Sequence, residues 1–402
     1  MSRKIQVYLD GKTLQSVGTL WIHRVRGGES ASFEYAREWL EQGFALEPAL
    51  PLLSGVFHTE PSQAMFRSFS DSAPDRWGRV LLQRQENRLA REERRTPRAL
   101  MESDFLLDIN DATRQGALCF KSDAGEILTV GSAVPPYVQL RALMQAATSI
   151  ANRTESMADI KLLLSPGSSL GGARPKASVL DEVGNLMIAK FPHPHDEWDV
   201  PLWEYIAYRL AAEVGLKVPE VRLETVNGRH VLLVQRFDRK NGARVPFASA
   251  MTLLGASDGE SRSYLDIAEI IIDSGEDTKN DLKELWRRML FNMLISNVDD
   301  HLRNHGFLRG TKGWMLSPVY DLESTPVTYK AHVLRTAVID DDGTADPELA
   351  IQTAGYYGIK QSEAEHQFIQ MKAIVSRWEV LARQLGAARH DIDLMEMAFR
   401  QG

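Results

Sequence analysis

The N-terminal part of the chain alternates apolar and polar residues with the period of a β-strand. Residues 5–10 alternate, an Asp10-Gly11 pair follows, and the alternation resumes at residues 17–21. Two such runs on either side of a turn predict a β-hairpin. Residues 33–40 mix the strand and helix periods, so their pattern predicts neither element. Residues 73–98 and 138–164 show the apolar spacing of helices.

The first predicted helix carries a strongly charged face. Acidic residues at positions 86, 92 and 93 alternate with a set of arginines, namely Arg84, Arg88, Arg91, Arg94, Arg95 and Arg98. Because the acids lie between the arginines, the pattern favours a solvated helix face over a nucleic-acid site.

The middle of the chain predicts the order β-β-α-β-β. The predicted elements are strands at 177–180 and 186–191, a helix at 201–214 that ends at Gly215, and strands at 219–225 and 230–235 joined by Asn227-Gly228. From about residue 247 the pattern is mainly helical, with one hairpin at 305–320. A Gly/Ser/Pro-rich stretch at 165–176 precedes the first of these strands.

Composition narrows the class of protein without indicating its chemistry. The 402 residues are 44% hydrophobic and 25% charged, as in ordinary globular proteins, so a disordered or fibrous chain is excluded. The net charge of −7 argues against a chain-wide nucleic-acid surface but leaves room for a local basic patch. A single cysteine, Cys119, excludes an internal disulfide and a cysteine-based zinc site. With no signal sequence and no 18-residue apolar run, we expect a cytoplasmic protein without membrane association.

Candidate chemistry follows the predicted helix at 281–295. This helix is apolar nearly all round and should be buried, yet it leads into Asp299, Asp300 and His301. Buried carboxylates cost several kcal/mol unless they are paired or bind metal, so this conflict points to function. Asn304 lies five residues after Asp299, and Asp321 lies just beyond the predicted hairpin.

An Asp, an Asn five residues later, a hairpin and a second Asp form the layout of a protein-kinase catalytic loop. One carboxylate orients the attacking hydroxyl, while the Asn and the second Asp offer the hard oxygen ligands that Mg²⁺ prefers. Upstream, Lys190 ends an apolar strand about 14 residues after a Gly-Gly pair. Glu204, 14 residues later on a predicted helix, is the carboxylate expected to hold this lysine. These parts have the chain order of a nucleotide-binding kinase lobe, although the Gly-x-Gly-x-x-Gly of ordinary protein kinases is absent.

Taken together, five segments resemble the HipA family, serine/threonine kinases that act as toxins of bacterial toxin–antitoxin modules. The segments are residues 169–177, 187–191, 234–239, 297–304 and 316–321, and residues 71–81 are similar to the family's small N-terminal subdomain. The resemblance implies an α+β, two-lobed protein-kinase-like fold with ATP held between the lobes. The implied domains are an N-terminal subdomain at 1–135, a nucleotide-binding N-lobe at 136–240 and a helical catalytic C-lobe at 241–402.

The resemblance also implies roles for single residues. It makes Asp299 the catalytic residue, Asn304 and Asp321 the Mg²⁺ ligands, and Lys190 the lysine of the ATP phosphates. The remaining implied nucleotide contacts are His301 near the phosphates, the adenine segment Gln235, Arg236 and Phe237, and the phosphate loop with Ser169, Leu170, Gly171, Gly172 and Ala173. Gln235 stands where some relatives carry an acid. Asp300 replaces a small residue and adds charge next to the metal site, where it either assists the chemistry or faces solvent.

Regulation and partners are implied in the same way. Ser169 matches a serine that some members phosphorylate on themselves, which silences the enzyme, and Ser168 is a second candidate. The family implies a role in persistence, a helix-turn-helix antitoxin partner similar to HipB, DNA contact through that complex, and a protein substrate from translation such as an aminoacyl-tRNA synthetase. A local basic patch at 79–98 is the alternative source of DNA contact. Two other functions stay open, namely a small-molecule kinase of related fold and a catalytically idle co-repressor that acts through an antitoxin.

Overall fold

The computed structural model describes residues 2–129, 133–164, 172–326 and 328–399. The chain forms two compact units. The first consists of Met1–Pro194 and Asp238–Ala248, and the second of His195–Phe237 and Ser249–Gly402. The predicted division into three domains with boundaries at 135/136 and 240/241 stays a prediction.

The strands, in chain order, are β1 Ser2–Asp10, β2 Leu14–Val25, β3 Gly28–Tyr35, β4 Val56–His58, β5 Leu118–Lys121, β6 Lys176–Leu180, β7 Leu186–Lys190, β8 Val221–Val226, β9 Arg229–Gln235, β10 Arg239–Lys240, β11 Ala243–Arg244, β12 Phe247–Ser249, β13 Gly306–Arg309 and β14 Trp314–Leu316. The helices are α1 Arg37–Gln42, α2 Arg67–Ser70, α3 Arg76–Glu92, α4 Glu102–Leu107, α5 Leu140–Ala151, α6 Met157–Leu164, α7 Val200–Glu213, α8 Ala250–Leu253, α9 Tyr264–Ser274, α10 Thr278–Leu294, α11 Pro347–Thr353, α12 Gln361–Val375, α13 Trp378–Gln384 and α14 Arg389–Met395. Short 3₁₀ turns lie at Asp111–Thr113, Tyr137–Gln139, Leu302–Asn304 and Ala354–Tyr357.

The first unit contains a five-stranded antiparallel sheet in the order β4-β3-β2-β1-β5. The predicted hairpin is confirmed, because β1 pairs with β2 and Ile5 lies opposite Leu20. One face of the sheet covers a core that includes Phe33, Phe69 and Phe120. The ambiguous stretch at 33–40 is the end of a strand followed at once by a helix, which explains its mixed period.

Helix α3 begins where Asp75 accepts a hydrogen bond from the Gly78 amide, so a side-chain cap satisfies one of its free N–H groups. The arginines of this helix and the following loop pair with acids of the same unit. The pairs are Arg79–Glu102, Arg84–Glu155, Arg95–Glu86 and Arg98–Asp104, with N–O distances of 2.5–2.9 Å. Four arginines of this region thus have acidic partners, whereas no acidic partner is described for Arg88, Arg91 and Arg94 in the part of the chain that the structure covers. The interpretation of this face as solvated, not DNA-binding, stays a prediction.

The second predicted hairpin, β6–β7, is confirmed in the first unit, with Lys176 opposite Lys190 and Ala177 opposite Ala189. In the second unit, α7 ends before Gly215, whose φ of +78° suits a residue without a Cβ at a helix end. The predicted turn between β8 and β9 uses Asn227 and Gly228, both at positive φ, as a tight hairpin requires.

Helix α10 forms the centre of the second unit and confirms the predicted buried helix. Its interior face packs Leu285, Trp286, Met289, Leu290 and Phe291 into the core. The helix is nevertheless not apolar all round, because its charged residues Asp281, Glu284 and Arg288 are also buried and pair within the unit. Those pairs are Glu284–Arg288 at 3.0 Å and Asp281–Lys217 at 2.7 Å. Within the described residues no helix is long and apolar enough to cross a membrane.

Candidate active site

The loop after α10 holds Asp299 at the surface and closes on itself through Asn304. The chain leaves the helix through Ser296, which has a positive φ of 52°. Two hydrogen bonds hold Asn304 in place. Its backbone N–H donates to the His301 carbonyl at 2.7 Å, and its side-chain Nδ2 donates to the Asp299 carbonyl at 3.0 Å. These bonds fix the backbone of Asp299, while its carboxylate stays 47% exposed and accessible to another molecule.

Two buried atoms of this loop have no hydrogen-bond partner among the described residues, namely Asn304 Oδ1 and His301 Nδ1. An unsatisfied buried polar atom costs about 1–3 kcal/mol, so such atoms often await a ligand. Asp321 follows the β13–β14 hairpin in the left-handed region, with φ at 52°, a strained conformation of the kind that collects at functional sites.

The oxygen donors of Asn304 and Asp321 suit Mg²⁺, a hard cation that takes few protein ligands and completes its shell with waters and substrate phosphates. Within the described residues, no group of three or more His, Cys, Asp or Glu side chains is placed to hold a metal ion. A preformed all-protein metal centre is therefore not seen in this part of the chain. The residues present fit a shared site for Mg²⁺ and a nucleotide phosphate.

Asp300, beside the catalytic candidate, is a buried structural residue and does not face solvent. Its Oδ1 accepts hydrogen bonds from the backbone N–H groups of Arg335 and Thr336, at 3.0 and 3.4 Å. Its Oδ2 accepts a hydrogen bond from the Tyr264 hydroxyl at 2.6 Å. Burial raises the pKa of the Asp300 carboxyl from its ordinary value of 3.8 to about 7, although these hydrogen bonds oppose the shift.

A chain of buried polar groups continues from this carboxylate. The Asn292 side chain donates to the Tyr264 hydroxyl at 3.0 Å, and the Asn297 side chain donates to Asn292 Oδ1 at 3.0 Å. Asn297 and Asp300 flank the loop that carries Asp299, so the network supports that loop from inside the unit. Sequence reasoning missed Tyr264 and Asn292; the polar Asn292 in an otherwise apolar stretch of α10 was the available signal.

The predicted nucleotide residues of the first unit lie at and near its second hairpin. Lys190 ends β7, and Gly172 and Ala173 are exposed residues before β6. Gly172 has a φ of +87°, which favours glycine there. Ser168, Ser169, Leu170 and Gly171 lie outside the described residues.

Lys176, which lies opposite Lys190 in the hairpin, forms a buried ion pair. Lys176 Nζ lies 2.7 Å from Asp75 Oδ2, and both side chains are almost fully buried. Trp77 at the start of α3 donates through its indole N–H to the Lys176 carbonyl at 3.0 Å, and its backbone N–H donates to the Gly172 carbonyl at 3.4 Å. Helix α3 thus holds both ends of residues 172–176, within the first unit.

The predicted adenine segment, Gln235 to Phe237, ends β9 in the second unit. The Gln235 backbone N–H donates to the Glu220 carbonyl at 2.8 Å, and Arg236 is buried. The Phe237 ring lies 5.4 Å from the Tyr320 ring, so this segment contacts the residue before Asp321. Glu204, the predicted partner of Lys190, is a buried residue of α7; their pairing stays a prediction.

The chain has a strand-rich part followed by a helical part, and the helical part contains the Asp-Asn loop, the hairpin and the second Asp. This arrangement is that of the two-lobed α+β proteins of protein-kinase-like fold. The predicted fold class is confirmed by a solved structure of Shewanella oneidensis HipA with HipB and its operator DNA. That structure matches with a TM-score of 0.65 over 99% of this chain and 95% of the other, at 18% identity. The HipA N-terminal domain model matches residues 5–102, and the HipA-like C-terminal domain model matches residues 168–378. The chain belongs to the HipA family.

Two named relatives match shorter parts of the chain at higher sequence identity. A candidate kinase of Sinorhizobium fredii is 31% identical over 150 residues, which cover 34% of this chain and 34% of that protein. The serine/threonine-protein kinase toxin HipA of Shewanella oneidensis is 25% identical over 223 residues, which cover 48% of this chain and 51% of the toxin. The chain thus aligns with about a third to a half of the length of these relatives.

Proposed function

We propose that this protein is an ATP- and Mg²⁺-dependent serine/threonine protein kinase that acts as the toxin of a toxin–antitoxin module. The observation that carries the proposal is the loop at 299–304. It presents an exposed carboxylate on Asp299 and, five residues on, a buried Asn304 oxygen that has no partner among the described residues. Membership of the HipA family and the names of the relatives support the same activity.

In the proposed reaction Asp299 accepts a hydrogen bond from the hydroxyl of a target Ser or Thr and orients it toward the γ-phosphorus of ATP. A bond forms between the hydroxyl oxygen and that phosphorus, the bond to the β–γ bridging oxygen breaks, and ADP leaves. Asp299 receives the hydroxyl proton. Positioning and charge stabilisation supply most of the rate enhancement in such reactions.

The other residues bind the nucleotide in this proposal. Asn304 and Asp321 would hold Mg²⁺, which when bound neutralises charge on the phosphates. Lys190 binds phosphate oxygens, and the backbone amides near Gly172 and Ala173 donate to them. The Gln235–Phe237 segment contacts the adenine through backbone groups, and His301, whose Nδ1 is buried without a partner among the described residues, lies toward the phosphates.

We extend the proposal to partners and regulation. The Shewanella structure is a complex of HipA with HipB and operator DNA, and a helix-turn-helix antitoxin similar to HipB is the expected partner here. DNA contact would then come through that complex, and the ion pairs of Arg79 with Glu102 and of Arg84 with Glu155 reduce the free positive charge of α3. Autophosphorylation at Ser169 or Ser168 would add about −1.5 to −2 charge beside the phosphate loop and oppose ATP binding.

Labelling with γ-labelled ATP tests the activity and separates it from its alternatives. We expect the purified chain with Mg²⁺ to label protein bands in a cell lysate, with translation components the first candidates, and to lose labelling in excess EDTA. Transfer to aminoglycoside or choline but not to protein would replace the proposal with a small-molecule kinase. No transfer to either class, together with tight antitoxin binding, would favour the idle co-repressor.

A further inference from the structure

The Asp299 carboxylate has a single side-chain partner among the described residues. Lys330 Nζ lies 3.5 Å from Asp299 Oδ1, and each side chain is 47% exposed. All other hydrogen bonds described for Asp299 involve its backbone carbonyl. The group proposed to orient the acceptor hydroxyl therefore lies within reach of one ammonium group.

Lys330 belongs to a segment that is anchored close to both sides of Asp299. Before it, the Thr325 backbone N–H donates to the Ser296 carbonyl at 3.1 Å. After it, the Thr336 hydroxyl donates to the Asp300 carbonyl at 2.6 Å, and the Arg335 N–H donates to the Asp300 carboxylate. The lysine thus lies on a chain segment tied to residues within three positions of Asp299.

The residue before Lys330 adds a third anchor. The Tyr329 ring lies 5.2 Å from the Trp198 ring in a T-shaped contact, and its hydroxyl donates to the Glu197 carboxylate. The backbone N–H of Tyr329 also donates to the Pro326 carbonyl at 2.9 Å, which forms a tight turn. These contacts restrict the position from which Lys330 extends toward Asp299.

We infer that Lys330 is a further catalytic residue for phosphoryl transfer, whose ammonium group holds the Asp299 carboxylate in place and donates to the transferred phosphate. This inference rests on the proposed kinase function. An ion pair between two half-exposed side chains contributes little stability, so a substrate can displace the lysine and the pair does not inhibit the enzyme. It is strong enough to select one orientation of a carboxylate that has no other side-chain partner in the described structure.

The Lys330 ammonium group can also interact with the phosphate that is transferred. Phosphoryl transfer places negative phosphate oxygens next to the Asp299 carboxylate, and the transition state spreads charge over those oxygens. A lysine ammonium has three N–H donors, so Lys330 can keep one on Asp299 while it offers another to a phosphate oxygen. Charge placed in advance at such a position stabilises a transition state more than it stabilises the bound substrate.

The test compares Lys330→Met and Lys330→Arg with wild type, and Lys312→Met, an exposed turn lysine, serves as the matched control. The initial rate of labelling of the lysate bands is measured at saturating MgATP, and the Kd of MgATP is measured by equilibrium titration. We expect Lys330→Met to lower the rate roughly 10²–10³-fold, as removal of one charge-stabilising donor does, with the Kd changed less than about 3-fold. Lys330→Arg should recover most of the rate, and Lys312→Met should equal wild type.

A Lys330→Met protein that works at the wild-type rate or faster would overturn the inference and leave the kinase function standing. Equal losses in the Met and Arg variants, or a rate loss matched by weaker MgATP binding, would also overturn it. A wild-type protein that labels nothing would overturn the proposed function and the role of Lys330 with it. Because Lys330 is half-exposed, all four proteins should show the same thermal unfolding midpoint.

Discussion

The Tyr264 hydroxyl donates a 2.6 Å hydrogen bond to Asp300 Oδ2, and both residues are buried in the second unit. This contact joins α9 to the residue immediately after the proposed catalytic Asp299. Through Asn292 and Asn297 the same polar chain reaches the beginning of the loop. Asp300 is therefore best understood as the internal support of the loop, with its neighbour Asp299 left for chemistry.

Replacement of Asp300 by Asn should change how stability depends on pH. Burial raises the pKa of Asp300 to about 7 in the folded protein, so the folded state binds a proton that the unfolded state has already lost. Stability from this group is full below about pH 4 and falls as pH rises through 7. We expect Asp300→Asn to remove this fall, a difference on the order of a few kcal/mol.

Urea unfolding at pH 5 and pH 8 measures the effect as the change in unfolding free energy between the two pH values. Asp273→Asn, an exposed position on the same helix as Tyr264, is the control and should keep the wild-type pH dependence. An Asp300→Asn protein with an unchanged slope between these pH values would show that the carboxyl does not titrate as described.

The Asp75–Lys176 pair should contribute to stability in a way that exposed pairs do not. Asp75→Asn keeps an oxygen that can accept from the Gly78 amide, so the helix cap survives, but the buried Lys176 ammonium loses the carboxylate that lies 2.7 Å away. We expect a loss of about 3–5 kcal/mol in unfolding free energy. The double variant Asp75→Asn with Lys176→Met should lose less than the sum of the single variants, since no unpaired charge remains.

The exposed Lys4–Asp123 pair, at 2.9 Å in the same unit, is the matched control. Its removal by Asp123→Asn should leave the unfolding free energy close to that of wild type. Chemical denaturation of all variants gives the comparison, and equal costs for the buried and the exposed pair would refute the special role of Asp75.

Replacement of Asp321 by Asn should weaken nucleotide binding only when Mg²⁺ is present. The carboxylate supplies charge that an amide lacks, and we expect the affinity for MgATP to fall at least about 10-fold while binding without metal changes little. Titration of a fluorescent ATP analogue with Mg²⁺ and with EDTA measures both affinities. Asp340→Asn is the control, because Asp340 is an exposed Asp with a similar positive φ of 47°. An equal loss of MgATP affinity in that variant would show that Asp321 has no specific role in binding the metal.

Local patterns were sufficient to predict much of this fold. Both hairpins of the middle region follow from turn residues such as Asn227 and Gly228, and the end of α7 follows from Gly215. The residues from Asp299 to Asn304 could also be proposed together from their spacing, because they lie within six positions, and their chemical roles stay a prediction. In each of these cases the interactions that determine the local structure join residues that are close together in the sequence.

The interactions that sequence reasoning missed join distant parts of the chain. Tyr264 and Asp300 are 36 positions apart, and Asp75 and Lys176 are 101 positions apart. No local period marks such partners, since either residue alone looks like an ordinary surface or core position. Asp300 was the clearest case, because its charge suggested a site or a solvent contact until its buried donors were known.

The most direct test of the central claim is a comparison of wild type with Asp299→Asn in the transfer of γ-labelled phosphate to lysate proteins. The Asp299 side chain is half-exposed and has Lys330 as its only described side-chain partner, so the variant should unfold within about 0.5 kcal/mol of wild type and bind MgATP with similar affinity. The account predicts a loss of labelling of at least about 10³-fold. An Asp299→Asn protein that labels the same bands at a rate close to wild type would contradict it.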